Sequence, residues 1–271
     1  MKKRRLIPII LLKDGIIVQS RNFLTFNNLG DPLPSVKRYS EWCSDELIFL
    51  DISRGQEPKN NRTDLNFKKR VILSDIIEDI SKYCFMPITV GGKINNLKKI
   101  EEYLAKGADK VAINSFANLN HNFIESAAKK FGSQCIVNSI DVKKVDGDYK
   151  IFICNGSEMS QYSLREWLKI SEESGSGEIL INSIDRDGIG NGFDIDLINL
   201  VDNFVKIPVI CSGGAGKYED FLEVALQTNA DGIAAANFFQ YKEHSVFLTK
   251  KLLFDKNLNF RKPEFQKKFS I

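Results

Sequence analysis

Histidine is almost missing from this chain. Two occur in 271 residues, His121 and His244, and neither stands beside a plausible nucleophile or ligand partner. That excludes a histidine-based triad and a His-rich metal site. Cysteine is sparse as well: Cys43, Cys84, Cys135, Cys154 and Cys211 are scattered and never spaced CxxC. A disulfide framework or a zinc site is thereby excluded, and a reducing cytoplasm is the expected compartment. Long apolar runs are absent. The basic start Met1–Arg5 is followed by only seven apolar residues, Leu6 to Leu12, with no small-residue cleavage site after them. No stretch approaches the roughly 18 apolar residues of a membrane span. Nor does one sign of charge dominate. Thirty-eight Lys+Arg against 35 Asp+Glu leave +3, too balanced for nucleic acid to be the main partner. Whatever chemistry occurs must run on carboxylates, lysines and backbone amides, with no metal and no cofactor expected.

What is there is a repeating alternation. Near-continuous apolar runs lie at Leu6–Leu12, Leu47–Leu50, Ile88–Val90, Val111–Ile113, Cys135–Ile140, Ile179–Ile181, Val209–Cys211 and Ile233–Ala236. Strands buried on both faces read this way. Amphipathic segments separate them, among them Asn96–Lys106, Leu119–Lys130, Leu164–Glu173, Lys217–Thr228 and His244–Leu253. Eight strands alternating with helices predict an α/β fold, a (β/α)8 TIM barrel, over residues 1–256. A doubly wound open sheet is the competitor, disfavoured because no GxGxxG follows the first strand.

The chain also echoes itself. Pro87 to Asp109 spans 22 residues through a Gly-Gly turn and a helix, and Pro208 to Asp231 repeats the pattern over 23. Asp45-Glu46 before one strand is echoed by Gly177-Glu178 before another. Both offsets are close to half the chain, so the barrel reads as two similar halves. Val142–Phe152, centred on Asp146-Gly147, predicts an inserted β-hairpin. Arg21–Pro34 and Ser53–Asn66 read as long polar loops. Residues 257–271 form a basic tail with interspersed Phe, either flexible or docked on the surface.

Catalytic groups of such barrels sit at the C-terminal ends of the strands. Asp51, Asn114, Asp141, Ser183, Asp185 and Asn237 all fall there. Any one of them can be polar merely because strand ends reach water; Asp141, directly after its apolar run, is the best acid/base candidate. Gly91-Gly92 and Gly213-Gly214 follow strands and precede helices, where backbone amides can hold a phosphate without side-chain charge. Tight turns use glycine too, but two pairs in symmetric positions point to two phosphates, with Asn114 and Asn237 beside them. At the opposite mouth Arg5, Glu46, Lys110 and Glu178 each open a strand. Charges crowded there must pair, as a static plug or as a gate on a passage along the barrel axis.

Lys13-Asp14-Gly15, Gly30-Asp31-Pro32, Val90-Gly91-Gly92, the stretch from Gly107 to Asn114, the stretch from Ser183 to Gly188, and Ser212-Gly213-Gly214-Ala215-Gly216 together resemble the cyclase subunit of imidazole glycerol phosphate synthase, the HisF family. The likeness runs over about residues 4–253. It implies a half-barrel duplication that binds a two-phosphate substrate and takes ammonia from a HisH-type glutaminase docked at the bottom, as a heterodimer. It implies a lyase of histidine biosynthesis, with Arg5, Glu46, Lys110 and Glu178 as the ammonia gate and Asp141 as a catalytic aspartate. Asp187 and Gly188 join the phosphate-binding set by the same resemblance. Four departures stand out. Leu11 falls where the family has its second catalytic aspartate, and Gln19 where it has a lysine. Lys93 replaces the third glycine of a turn, and Ile189 a threonine. A leucine moves no proton. Diverged copies in this family accompany surface-polysaccharide genes, and Leu11 and Gln19 favour that second client, a sugar amidotransferase that builds an acetamidino group, with a phosphosugar as the alternative to the two-phosphate substrate. A phosphosugar isomerase would need two acid/base carboxylates, which Leu11 argues against. A pure binding module has no need of the bottom gate.

Overall fold

The structure, a computed structural model, describes residues 3–54 and 72–265. Eight parallel strands close on themselves: β1 Arg5–Lys13, β2 Leu47–Asp51, β3 Ile88–Gly91, β4 Lys110–Ile113, β5 Ile136–Val145, β6 Glu178–Ser183, β7 Val209–Ser212 and β8 Gly232–Ala235. Neighbours pair in chain order, and β8 returns to β1 through Arg5↔Gly232 and Leu6↔Ile233. Only a closed cylinder satisfies both edges of every strand, and it leaves no unpaired edge. The helices on its outside are α1 Pro32–Glu41, α2 Leu73–Ser81, α3 Leu97–Ala105, α4 Asn122–Phe131, α5 Leu164–Glu173, α6 Ile195–Asp202, α7 Tyr218–Gln227 and α8 Ser245–Asp255. The predicted (β/α)8 barrel is the observed fold.

Why the strands lack polar alternation is plain along β1. Leu6, Ile10 and Leu12 pack outward into the core under the helices. Ile7, Ile9 and Leu11 point inward and meet Ile48, Ala112, Val137, Leu180, Ile210 and Ala234. Both faces are dry, so both must be apolar. The same parity sends Arg5 inward at the bottom and Leu11 inward at the top.

Three expectations need correcting. Arg21–Pro34 is not an irregular loop: Ile16–Arg21 pairs with β1 and with Thr25–Gly30, an antiparallel hairpin turned at Asn22 and Phe23, both at φ near +55 (51 and 59). Side chains on its polar strand are exposed, which masked it as loop. Second, the inserted hairpin turns at Asp146-Gly147 as predicted, but it gains a third strand, Glu158–Ser163. Third, Ser183 and Asp185 do not face the barrel mouth, as described below. From residue 55 on, the polar loop Ser53–Asn66 lies outside the described residues. The tail is docked through its described part. Phe260 is fully buried and bridges Arg4, Arg261 Nε sits 3.3 Å from Asp45, and Phe265 stacks on Phe247 at 4.0 Å. Residues 266–271 lie outside the described residues.

Candidate active site and the charged ring beneath it

The strand parity that sends Arg5 and Leu11 inward stacks layers inside the barrel. In the lowest, Arg5, Glu46, Lys110 and Glu178 form a closed ring of alternating charge. Arg5 pairs with Glu46 at 2.6 Å and also with Glu178; Lys110 pairs with Glu46 and with Glu178, each at 3.0 Å. Thr89 Oγ1 donates to Glu46 at 2.7 Å. Glu46 is 2% exposed and meets two cations, the pairing that a buried carboxylate needs. Burial opposes the Arg5 charge, yet hydrogen bonds and the charges of Glu178 and Glu46 outweigh it and hold the guanidinium above its ordinary range. Above the ring the interior is apolar up to the opposite mouth.

That mouth opens into a cavity of 490 Å³. Asp141, from β5, lies in its wall. Its Oδ2 accepts from Asn114 Nδ2 at 2.7 Å and its Oδ1 from Asn182 Nδ2 at 3.2 Å. Burial raises its pKa from an ordinary 3.8 to about 6, with the two amides pulling down and Asp187 pushing up. A carboxyl poised near neutral can both give and take a proton. Leu11 lines the same cavity from β1 with Ile9, Leu50 and Leu180.

The hairpin Ile16–Gly30 folds over this mouth and lends it Phe23 and Phe26. Asp187 fastens it, accepting from Ser20 Oγ at 2.6 Å and from the Phe23 amide at 3.3 Å. Burial pushes the Asp187 carboxyl up, against those two donors. Asn237 Nδ2 donates to the Ser20 carbonyl at 2.7 Å, and Gln19 accepts from the Tyr241 hydroxyl. Gly188 lies directly beneath: a Cβ there would meet the Ser20 carbonyl oxygen at 2.2 Å.

Of the residues expected at the mouth, Asp51, Gly92, Asn114, Asp141 and Asp187 line the cavity. Gly91 closes β3, while Gly188, Gly213, Gly214 and Asn237 lie outside the lining. Gly92 and Gly214 have φ of +119 and +113, and a Cβ on either would strike backbone, at 2.5 Å from the Asp51 oxygen and 2.1 Å from the Gly192 oxygen. Ser183 is buried outside the cavity lining, and Asp185 accepts from the Lys144 amide at 2.7 Å instead of facing the cavity. Asn182 is the polar group β6 contributes. Sequence reasoning passed over it, although counting by twos from the inward Glu178 reaches it.

Comparisons with known proteins add the following. The family described as Histidine biosynthesis protein matches residues 5–245. The HisF subunit of imidazole glycerol phosphate synthase from Hydrogenobaculum sp. (strain Y04AAS1) is 41% identical over 262 residues, covering 96% of this chain and all of the relative. Its namesakes from Streptococcus mutans and Geobacillus thermodenitrificans are 37% and 38% identical, again over 96% of this chain and all of theirs.

Proposed function

The chain belongs to the histidine-biosynthesis family of barrels, and we propose from this that it is the cyclase subunit of an imidazole glycerol phosphate synthase, fed with ammonia by a glutaminase at its bottom face. The observation that carries the reading is the closed ring of Arg5, Glu46, Lys110 and Glu178. Four charges gathered at the mouth remote from Asp141 serve no substrate there, but they suit a gate. When one ion pair parts, neutral ammonia can enter, and the apolar interior above admits it far more readily than ammonium. Asp141 at the far end supplies acid/base chemistry on the arriving nucleophile. The substrate of this reading is phosphoribulosyl formimino carboxamide nucleotide. Its two phosphates take the turns at Gly91-Gly92 and Gly213-Gly214, with Asn114, Asp187, Gly188 and Asn237 completing the phosphate-binding set. The products are imidazole glycerol phosphate and the carboxamide ribotide.

One observation favours a second client for the same ammonia. Across the cavity from Asp141 the β1 position is Leu11, hydrocarbon among hydrocarbon. With only one proton-transfer group from β1 and β5, the ammonia suits an acceptor whose amidation is completed elsewhere, such as a sugar amidotransferase. Expression with the cognate glutaminase in a histidine auxotroph lacking its own cyclase separates the two. Growth supports the cyclase; a stable glutaminase complex without growth supports the second client. No complex at micromolar concentration refutes both.

A further inference from the structure

Lys93 is the only cation lining the cavity among the described residues, against the carboxylates Asp51, Asp141 and Asp187. It stands at φ +53, in left-handed backbone that a residue with a Cβ enters only at a cost in free energy and that glycine enters without one. Such strain gathers where a side chain is put to use. The ammonium lies 3.9 Å from Asp51 Oδ2, beyond hydrogen-bond reach, while Asp51 Oδ1 is taken by the amide and hydroxyl of Ser53. Asp51 thus aims the lysine without consuming its donors. The other half of the barrel has no counterpart. Six residues beyond Pro87 is Lys93, and six beyond Pro208 is Gly214, where a Cβ would sit 2.1 Å from the Gly192 oxygen.

We infer that Lys93 takes the anionic group of the ligand at the turn after β3, so that this turn holds its anion by a side-chain ammonium and the turn after β7 by backbone alone. The inference rests on the cavity being the substrate site. It makes the two turns unequal: binding at Gly91-Gly92 weakens with salt, and binding at Gly213-Gly214 does so less.

Inorganic phosphate titrated into the full-length protein tests this, with the amide resonances of Gly91 and Gly92 reporting one turn and those of Gly213 and Gly214 the other. Lys93→Met keeps the backbone strain and removes the charge. It should weaken phosphate about tenfold at the first turn, as losing a charged hydrogen bond does, and leave the second unchanged. Lys93→Arg should stay near wild type. Unaltered first-turn affinity in Lys93→Met, or tighter binding in Lys93→Gly, would overturn the inference and make the lysine a plug, with the function proposed for the cavity untouched. Phosphate that perturbs neither turn in the wild type would overturn that function as well.

Discussion

At the lower mouth of the barrel every buried charge meets its opposite within 3.0 Å, and the four side chains complete one another. At the upper mouth Asp141 is as deeply buried, but its partners are two neutral amides and a wall of hydrocarbon. Matched charges hold one another in place. Unmatched charge becomes titratable, and with that becomes able to do chemistry. The contrast between the mouths is therefore one between charges that hold one another and a carboxyl able to exchange its proton.

The largest expected effect comes from removing the asymmetry at the top. Leu11→Asp would set a second carboxyl across from Asp141. The rate with the histidine-pathway nucleotide and free ammonium should rise by about 10²–10⁴-fold, the usual worth of one acid/base group. Steady-state kinetics read this directly, and a wild-type chain already running at normal cyclase speed would remove its premise. Next is a break at the bottom. Glu46→Ala leaves Arg5 and Lys110 sharing Glu178, and unfolding in urea should show a loss of about 3 kcal/mol, as for a buried ion pair deprived of one partner. Lys110→Ala is the gentler version, since its side chain is 20% exposed. It should uncouple glutamine hydrolysis from ammonia use before it harms folding. Gly92→Ala falls between the mouths in kind. Its Cβ would press on the Asp51 carbonyl 2.5 Å away, so the turn must shift and phosphate affinity should drop by steric displacement rather than loss of charge.

The smallest effect concerns pH. In the folded chain the Asp141 carboxyl titrates near 6 instead of 3.8. Its preference for the proton favours the folded state below the ordinary carboxylate range, and that contribution is lost as pH rises through about 6. The side-chain amide that Asp141→Asn introduces cannot titrate. The melting temperature of the variant should thus gain on the wild type between pH 4 and pH 7, while whatever catalysis exists disappears. A constant difference across that range would show that Asp141 is ionised throughout.

The barrel was legible because its strands must be apolar on both faces, which isolates runs such as Leu6–Leu12 and Val209–Cys211 from the amphipathic helices between them. The ring was legible because a charge directly before such a run has only the barrel end to occupy. The upper mouth was harder, and parity explains why. Ser183 and Asp185 lie beyond the end of an apolar run just as Asn114 and Asp141 do, yet only inward positions reach the cavity, and Asn182 holds that place. The hairpin Ile16–Gly30 was illegible for another reason. Its second strand, Thr25–Gly30, is mostly exposed, and what orders the hairpin comes from far along the chain, Asp187 and Asn237 above all. Local pattern carries no trace of such contacts.

The ring also bears on which half would best join which. Arg5 and Lys110 open β1 and β4 and Glu46 directly precedes β2, a sum of +1; Glu178 opens β6 and supplies −1. Two first halves brought together would enclose +2, and two second halves −2. Only the unlike pair is neutral. A fold whose halves echo one another in sequence could assemble from like fragments, and hydrocarbon layers alone would not forbid it. Four charges at its base make self-pairing of either fragment costly, and so act as a code for heterologous assembly.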